Sequence, residues 1–261
     1  ILSGLVGSEM CIRDRPSPAF LDKLQQTFGF TPPAHHGHDA VQAMQAMIAG
    51  SAKALLCLGG NFAVALPDPG QCFPAMGKLD LSVHIATKLN RSHLLVARET
   101  FLFPCLGRTE LDMQGGLRQA ITVEDSMSMV HASAGKLAPA SEFLLSEPAI
   151  VAGMARATLP GSRVPWLELV ADYDKIRDLI EQTVPGFDDY NARIRVPGGF
   201  RMPLAAAERQ WLTPSGKAEF FVFPGLHEDK EVDGADVLRL ITLRSHDQYN
   251  TTIYALDDRY R

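Results

Sequence analysis

The chain has 261 residues, of which 46% are hydrophobic and 21% charged, and its formal net charge at pH 7 is −5. This length and composition are enough for a well-buried core in one large or two smaller domains. The acidic balance gives no support to a nucleic-acid surface, and no apolar run approaches the roughly 20 residues that a membrane helix needs, so we expect neither kind of partner.

The first 15 residues are left out of the fold prediction. They begin without Met, show neither strand nor helix periodicity, and resemble a translated sequencing adaptor, so we interpret 1–15 as non-native. The cysteines that remain are sparse and lack metal-site or redox spacing, which favours a reducing compartment and a cytoplasmic protein.

A helix is predicted to begin after His38. Asp39 can cap it, apolar residues from Val41 to Ile48 recur on one stripe, and Gly50 follows its end. Three histidines precede this helix, but a Pro-rich loop without a Cys or carboxylate at ligand spacing does not favour a metal site. They are His35, His36 and His38.

Short apolar segments predict the strands of a sheet. Residues 54–58 are continuously apolar, as in a parallel strand covered on both faces, and segments 81–85 and 94–103 follow. The first strand breaks at a glycine pair, which is how open α/β sheets build a ligand crevice. We therefore expect an α/β fold with a layered, Rossmann-like parallel sheet and flanking helices.

The second half of the chain changes character. Ser146-Glu-Pro148 opens one predicted helix, and a second is expected over 165–183. The segment 196–235 is rich in Pro and Gly, which favours an extended connection with short strands. The apolar segment 237–243 predicts one further strand.

Two polar segments near the predicted sheet are candidates for binding a phosphate or a nucleotide. Glycines allow backbone amides to approach a ligand, and an aspartate can accept two hydrogen bonds from a guanine-like edge; an ordinary turn is the alternative. The first segment consists of Gly59, Gly60, Asn61 and Asp68. The polar insert 87–93 offers the second set, for which a solvated loop is the alternative. Its members are Lys88, Asn90, Arg91 and His93.

The last predicted strand leads into a dense polar cluster, typical of a loop that holds a polyanionic ligand. Its members are Arg244, Ser245, His246, Gln248, Asn250 and Thr251. A surface ion pair of Arg244 with Asp247 or Asp257 is the alternative. Because the chain stops directly after this loop, we expect a truncated protein.

Other reactive groups have structural interpretations. Arg108 and Glu110, together with Glu124 and Asp125, predict an internal ion-pair network. Cys105 stands at an apolar strand end and is expected to be a packed thiol. No nucleophile with a partnered base is recognisable, so no catalytic residue is assigned.

Six segments occur in a characteristic order along the chain. They are Ala54-Leu-Leu-Cys-Leu-Gly-Gly-Asn61 with Pro67-Asp68, Thr87-Lys-Leu-Asn-Arg-Ser-His93, Pro104-Cys-Leu-Gly-Arg-Thr-Glu110, Val123-Glu-Asp-Ser-Met-Ser-Met-Val-His131, Thr213-Pro-Ser-Gly-Lys-Ala-Glu-Phe220 and Arg244-Ser-His-Asp-Gln-Tyr-Asn-Thr251. Together they resemble the molybdopterin oxidoreductases, and within them the C-terminal half of the formate dehydrogenase-H-like alpha subunits.

The resemblance implies a molybdenum enzyme that moves electrons in pairs to or from a small substrate such as formate, with a separate electron-transfer partner. It implies bis-molybdopterin guanine dinucleotide with molybdenum as the cofactor, and a [4Fe–4S] cluster and the metal's protein ligand in an N-terminal part upstream of these residues. The glycine segment, the polar insert and the loop 244–251 would all contact the cofactor. No metal ligand is assigned within this chain.

The same resemblance implies a domain organisation. Residues 16–195 would be part of an α/β cofactor-binding domain, 196–235 an extended connection, and 236–261 the first strand and loop of a C-terminal cofactor-binding β-barrel. The alternative is a noncatalytic α/β module that uses the glycine turn for an ordinary nucleotide.

Overall fold

A computed structural model describes residues 16–219, apart from 34, 36, 67, 126 and 212, together with residue 236. The chain divides into two units after Met202. The first unit is a mixed α/β structure, in agreement with the predicted class. Its helices are α1 (Pro18–Phe28), α2 (Ala40–Ile48), α3 (Phe62–Ala65), α4 (Pro69–Gly77), a 3₁₀ turn (Arg91–Leu94), α5 (Glu147–Thr158), α6 (Trp166–Ala171), α7 (Tyr173–Thr183) and α8 (Tyr190–Arg195).

A three-stranded parallel sheet organises the first half of this unit. Its strands are β1 (Ala54–Leu58), β2 (Leu81–Ala86) and β3 (Glu99–Pro104), in the spatial order β1-β2-β3. The register places Leu58 beside Ile85 and Ile85 beside Phe103, so the three strands end at nearly the same level. The predicted parallel sheet with flanking helices is therefore confirmed. The expectation that strand 54–58 is covered on both faces is wrong, because Leu56 and Leu58 are 61% and 57% exposed.

Helices α2 and α4 cover one face of this sheet. The side chain and backbone of Asp39 form a reciprocal capping box with Gln42 at the start of α2, and Gly50 lies just past its end with φ 72°. The two helices and the segment between them bury an apolar cluster against the sheet. The cluster consists of Met44, Met47, Ala63, Cys72, Ala75, Met76 and Leu79.

Two smaller sheets follow in the chain. Strands β4 (Met113–Gln114) and β5 (Leu117–Arg118) form a short antiparallel hairpin. Strands β6 (Ile121–Glu124), β7 (Met129–Ser133) and β8 (Phe200–Arg201) form an antiparallel sheet in that order. Its core joins β7 and β8 to helix α8 through Val130, Tyr190, Ile194 and Phe200.

The second unit is described over residues 203–219 apart from 212, and at residue 236. It contains a 3₁₀ turn at Ala205–Glu208. A tighter turn follows, in which Gly216 N donates to Thr213 O over 3.0 Å and the Thr213 hydroxyl group donates to Lys217 O over 2.7 Å. The predicted strand 237–243 lies outside the described residues, and no closed barrel occurs within them.

Several element boundaries differ from the prediction. The third strand begins at Glu99 rather than at 94, and Leu94 instead ends a 3₁₀ turn that Asn90 caps. The helix predicted over 165–183 is two helices, since Asp172 adopts φ −150° and its side chain caps α7 by accepting from Asp174 N. Helices α1 and α4 were not predicted, although Phe20, Leu24 and Phe28 of α1 recur at helical spacing and the Ser17 side chain caps that helix.

The predicted ion-pair network is wrong. Both oxygens of the Glu110 carboxylate accept backbone hydrogen bonds, from Gly107 N at 2.6 Å and Ala140 N at 2.7 Å. Asp125 accepts from the backbone amides of Met127 and Met129. These carboxylates stabilise turns. A loop amide that has no partner in a sheet needs an acceptor, and a nearby carboxylate can accept from it instead of pairing with a cation.

No helix in the described part of the chain is both long enough and apolar enough to cross a membrane.

Candidate functional site

The candidate site lies where the three parallel strands end. Gly59 N donates to Ile85 O over 2.8 Å, and Cys105 N donates to Ala86 O over 3.2 Å, so the segments after β1, β2 and β3 lie side by side. Ligands of open α/β sheets bind at this carboxyl edge, where backbone groups and loop side chains converge. We call this region the carboxyl-edge site.

A glycine turn follows β1. Gly59 and Gly60 adopt φ values of 69° and 72°, which side-chain-bearing residues rarely take. A Cβ atom on either residue would meet nothing within 4 Å. The turn therefore needs glycine for its conformation, and it leaves open space in which a ligand can approach the backbone.

The polar insert after β2 holds this glycine turn in place. Asn90 Nδ2 donates to Gly60 O over 2.7 Å, and Asn90 Oδ1 accepts from Ser92 N over 2.9 Å. The buried Ser92 hydroxyl group accepts from Ala63 N at 3.0 Å and donates to Asn61 Oδ1 at 3.1 Å. Two segments some 30 residues apart in sequence are thus joined by three contacts.

Two imidazole rings are in contact, that of His93 in the insert and that of His84 in β2. His93 Nδ1 accepts from Asn90 N over 3.0 Å, and the His93 ring meets the His84 ring edge-on with centroids 5.0 Å apart. Burial, followed by the neighbouring His93, lowers the pKa of His84 below its ordinary value. His84 Nε2 is buried and has no hydrogen-bond partner among the described residues.

A pocket of about 240 Å³ opens beside these rings. Both histidines line it, together with Lys88 and the exposed side chains of Leu89 and Phe103. Neither Lys88 nor Arg91 forms a salt bridge within the described residues. These cations belong to the insert that contacts the glycine turn, and they fit a phosphate-bearing ligand because they supply charged donors to an anion.

Asp68, the fourth residue of the glycine segment, lies at the start of α4. Its carboxylate accepts from Gln71 N at 3.3 Å and from Gln71 Nε2 at 2.5 Å, which makes it the N-cap of the helix. The residue is exposed and has φ 54°. In the structure this side chain has a local capping role.

The predicted loop members Arg244, Ser245, His246, Gln248, Asn250 and Thr251 lie outside the described residues. Of the other predicted residues, the structure brings Gly59, Gly60, Asn61, Asn90 and His93 into one hydrogen-bonded or adjacent set. Cys105 is 3% exposed and packs with Ile85 and Ile150, and burial raises its pKa to about 11, so the packed thiol is confirmed.

Sequence reasoning did not single out Ser92, which makes two of the three contacts between the insert and the glycine turn. A signal was present in the Asn-x-Ser spacing, since an Asn side chain commonly accepts a hydrogen bond from the amide two residues on. The partners of the Ser92 hydroxyl group lie 29 and 31 residues earlier, where no local rule reaches.

A second cavity lies among the helices. It is an apolar cleft of about 1150 Å³ between α1 and the helices α5, α6 and α7, lined by Phe20, Leu24, Trp166 and Ile180 among others. Its lining provides few polar groups that could orient a polar ligand.

Comparison with known proteins identifies long relatives. Over 250 residues, 96% of this chain, it is 57% identical to the Escherichia coli K12 protein called Protein YdeP and 56% identical to a Shigella flexneri protein of the same name. It is 47% identical over 254 residues to the Mycobacterium tuberculosis H37Rv protein called Uncharacterized oxidoreductase Rv2900c. The chain spans about a third of the length of these curated relatives, with 33% of the first and 32% of the last covered. No family model matches the chain.

Proposed function

We propose that this chain is a cofactor-binding part of a molybdopterin-dependent oxidoreductase, and that its carboxyl-edge site contacts the guanine dinucleotide. One observation carries the proposal. At the carboxyl ends of parallel strands, a glycine turn with two positive φ angles is held by Asn90 from an insert that also carries Lys88 and Arg91, cations without an ionic partner among the described residues. Such an arrangement suits the phosphates of a dinucleotide.

The names of relatives support the redox part of the proposal. The mycobacterial relative is called an oxidoreductase, and 47% identity over nearly the whole chain makes a shared reaction class a reasonable inference. The ordered motifs described above supply the molybdopterin part. The small substrate, of the formate type, and the electron-transfer partner belong to the same proposal.

The chemistry divides between cofactor and protein. When bound, the molybdenum cofactor supplies two-electron redox chemistry. The residues of this chain would bind and orient its nucleotide. The backbone amide of Gly60 and the side chains of Lys88 and Arg91 would hold phosphate oxygens, with His93 from the same insert. The loop 244–251 would add further donors, and a [4Fe–4S] cluster would belong to a part outside this chain.

The test is the cofactor content of the full-length protein that contains this chain. The protein is produced with molybdate, purified in folded form, and analysed for molybdenum and for released guanine nucleotide. We expect both, in a ratio of two guanine nucleotides to one metal. Folded protein that contains neither contradicts the proposal, and guanine nucleotide without molybdenum would instead support a noncatalytic nucleotide-binding module.

The loop 244–251 provides a second test in the same protein. Arg244→Ala should lower the cofactor content, because a charge-assisted hydrogen bond contributes about 1.5–3 kcal/mol. Single substitutions of His246 or Gln248 should matter less, since water replaces a neutral hydrogen bond in part. Unchanged content in a stable Arg244→Ala protein would remove Arg244 from the site.

A further inference from the structure

We propose that Ser92 is a positioning residue that fixes the side-chain amide of Asn61, so that the carboxyl-edge site offers a hydrogen-bond donor to an acceptor oxygen of the ligand. The inference rests on the proposed function, because the ligand is the nucleotide proposed there. It assigns a role to Ser92, which contacts no ligand, and it identifies the Asn61 side chain as a hydrogen-bond donor to the ligand.

The donors and acceptors around the Ser92 hydroxyl group determine how the Asn61 amide is oriented. Ser92 is 1% exposed, so bulk water does not reach its hydroxyl group. Its Oγ atom lies 3.0 Å from Ala63 N and 3.1 Å from Asn61 Oδ1. A backbone amide only donates, so Ser92 must accept from Ala63, and its single hydroxyl proton is left for Asn61.

That proton requires an acceptor on the Asn61 side chain. The amide offers one only through Oδ1, because the NH₂ group is a donor. The reverse orientation would place Nδ2 against Ser92 Oγ and leave a buried hydroxyl proton without an acceptor, which is unfavourable. Asn61 is therefore held with Oδ1 toward Ser92.

The NH₂ group of Asn61 is then free for a ligand. It makes no hydrogen bond within the described residues, and Asn61 is partly exposed next to the open Gly60. The cations Lys88 and Arg91 follow the adjacent strand. All these groups donate, so the ligand atom that meets Asn61 is an acceptor oxygen, of the kind found on a phosphate or a base carbonyl.

The isosteric substitution Asn61→Asp tests the donor. Aspartate keeps an oxygen for Ser92 but replaces the NH₂ group by a second oxygen. We measure binding of guanosine 5′-diphosphate to the 261-residue chain by titration calorimetry, and hydrogen exchange of residues 59–65 by mass spectrometry. We expect exchange like that of the unsubstituted chain and an affinity at least tenfold lower. Gln25→Glu, an exposed substitution of equal charge on α1, is the control.

Ser92→Ala tests the positioning role. We expect faster exchange at Ala63 and weaker nucleotide binding. Ser82→Ala is the matched control, because Ser82 is equally buried and loses a side-chain hydrogen bond to Thr100 in the same sheet, away from the turn. In an Asn61→Ala background the effect of Ser92→Ala on affinity should disappear, because Ser92 acts through Asn61.

The two ligand types are separated by repeating the titrations with inorganic pyrophosphate and with guanosine. If Asn61→Asp loses affinity only for guanosine 5′-diphosphate and pyrophosphate, Asn61 contacts a phosphate oxygen. If it also loses affinity for guanosine, Asn61 contacts the base.

The outcomes separate this inference from the proposed function. If the unsubstituted chain binds no guanosine 5′-diphosphate, the proposal that this site of the chain binds a nucleotide is contradicted. Hydrogen exchange of residues 59–65 in Ser92→Ala then decides by itself whether Ser92 positions the turn. Undiminished binding by Asn61→Asp overturns the donor assignment. An effect of Ser92→Ala on affinity that persists in the Asn61→Ala background overturns action through Asn61.

Discussion

Two polar clusters in the first unit contrast in how their groups are used. In the cluster around Arg177, the guanidinium group donates to Ala120 O at 2.9 Å, to Asn191 Oδ1 at 2.6 Å and to Asp174, which also pairs with Arg195. In the carboxyl-edge site, Lys88 and Arg91 have no ionic partner among the described residues.

The difference between these clusters shows which charged groups stabilise the fold and which are available to bind a ligand. Charges that satisfy one another fix helices α7 and α8 and have no capacity left for a ligand. Charges that stand unpaired next to open backbone contribute little to folding and remain available to an anion.

Removing Arg177 should have the largest effect on stability. The side chain is 7% exposed, and Arg177→Ala leaves Ala120 O and Asn191 without their donor, so we expect a loss of about 3 kcal/mol in the free energy of unfolding. Urea denaturation measures it. Arg177→Lys, which keeps the charge but not the planar fork, should recover only part. A loss below about 0.5 kcal/mol, typical of surface substitutions, would contradict the structural role.

Removing Lys88 and Arg91 should weaken ligand binding but hardly change stability, in contrast to removing Arg177. The double substitution Lys88→Ala and Arg91→Ala should leave the urea midpoint nearly unchanged, because neither side chain has an ionic partner among the residues that the structure describes. The affinity for guanosine 5′-diphosphate should fall about tenfold, equivalent to about 1.4 kcal/mol. Lys23→Ala with Lys175→Ala is a control of equal charge. Equal affinities in both double variants would remove these cations from the site.

A substitution in the glycine turn should change both the stability of the protein and its affinity for the nucleotide. Gly60→Ala places a Cβ atom at φ 72°, which costs about 1 kcal/mol although the space around it is open. We expect that loss in stability together with weaker nucleotide binding, because the turn relaxes. Gly153→Ala in α5 should instead be neutral or stabilising, since no contact opposes its Cβ atom. A Gly60→Ala protein as stable as the unsubstituted chain would show that the positive φ is not required.

The smallest effect concerns pH. Because burial lowers the pKa of His84 below its ordinary value of 6.5, the unfolded chain takes up a proton at a higher pH than the folded one. Stability should therefore be at its full value above about pH 6.5 and should fall as the pH drops from there through the lowered pKa. His84→Gln should reduce the slope of urea midpoint against pH, whereas His38→Gln, at an exposed position, should not. Equal slopes in all three proteins would contradict the shift.

Local rules predicted much of the scaffold. Residues 54–58 form a strand as expected, because a continuous apolar run bounded by glycine admits few other structures, and Asp39 and Ser146 cap helices α2 and α5. The division of 165–183 into two helices was missed, since the apolar period continues through Asp172 and only its extended backbone interrupts the helix. The predicted domain boundaries and the cofactor contacts stay predictions.

Local sequence patterns were enough to indicate the position of β1, the need for glycine after it and the polar character of the insert after β2. Those features depend on neighbours a few residues apart. Three other features became apparent from the fold: Asn90 bonds to Gly60, Ser92 bonds to Asn61 and Ala63, and Arg177 rather than Arg108 lies in an ionic network. Such contacts depend on which strands become adjacent and at what register, and pairing between distant segments leaves no periodic signal in the sequence.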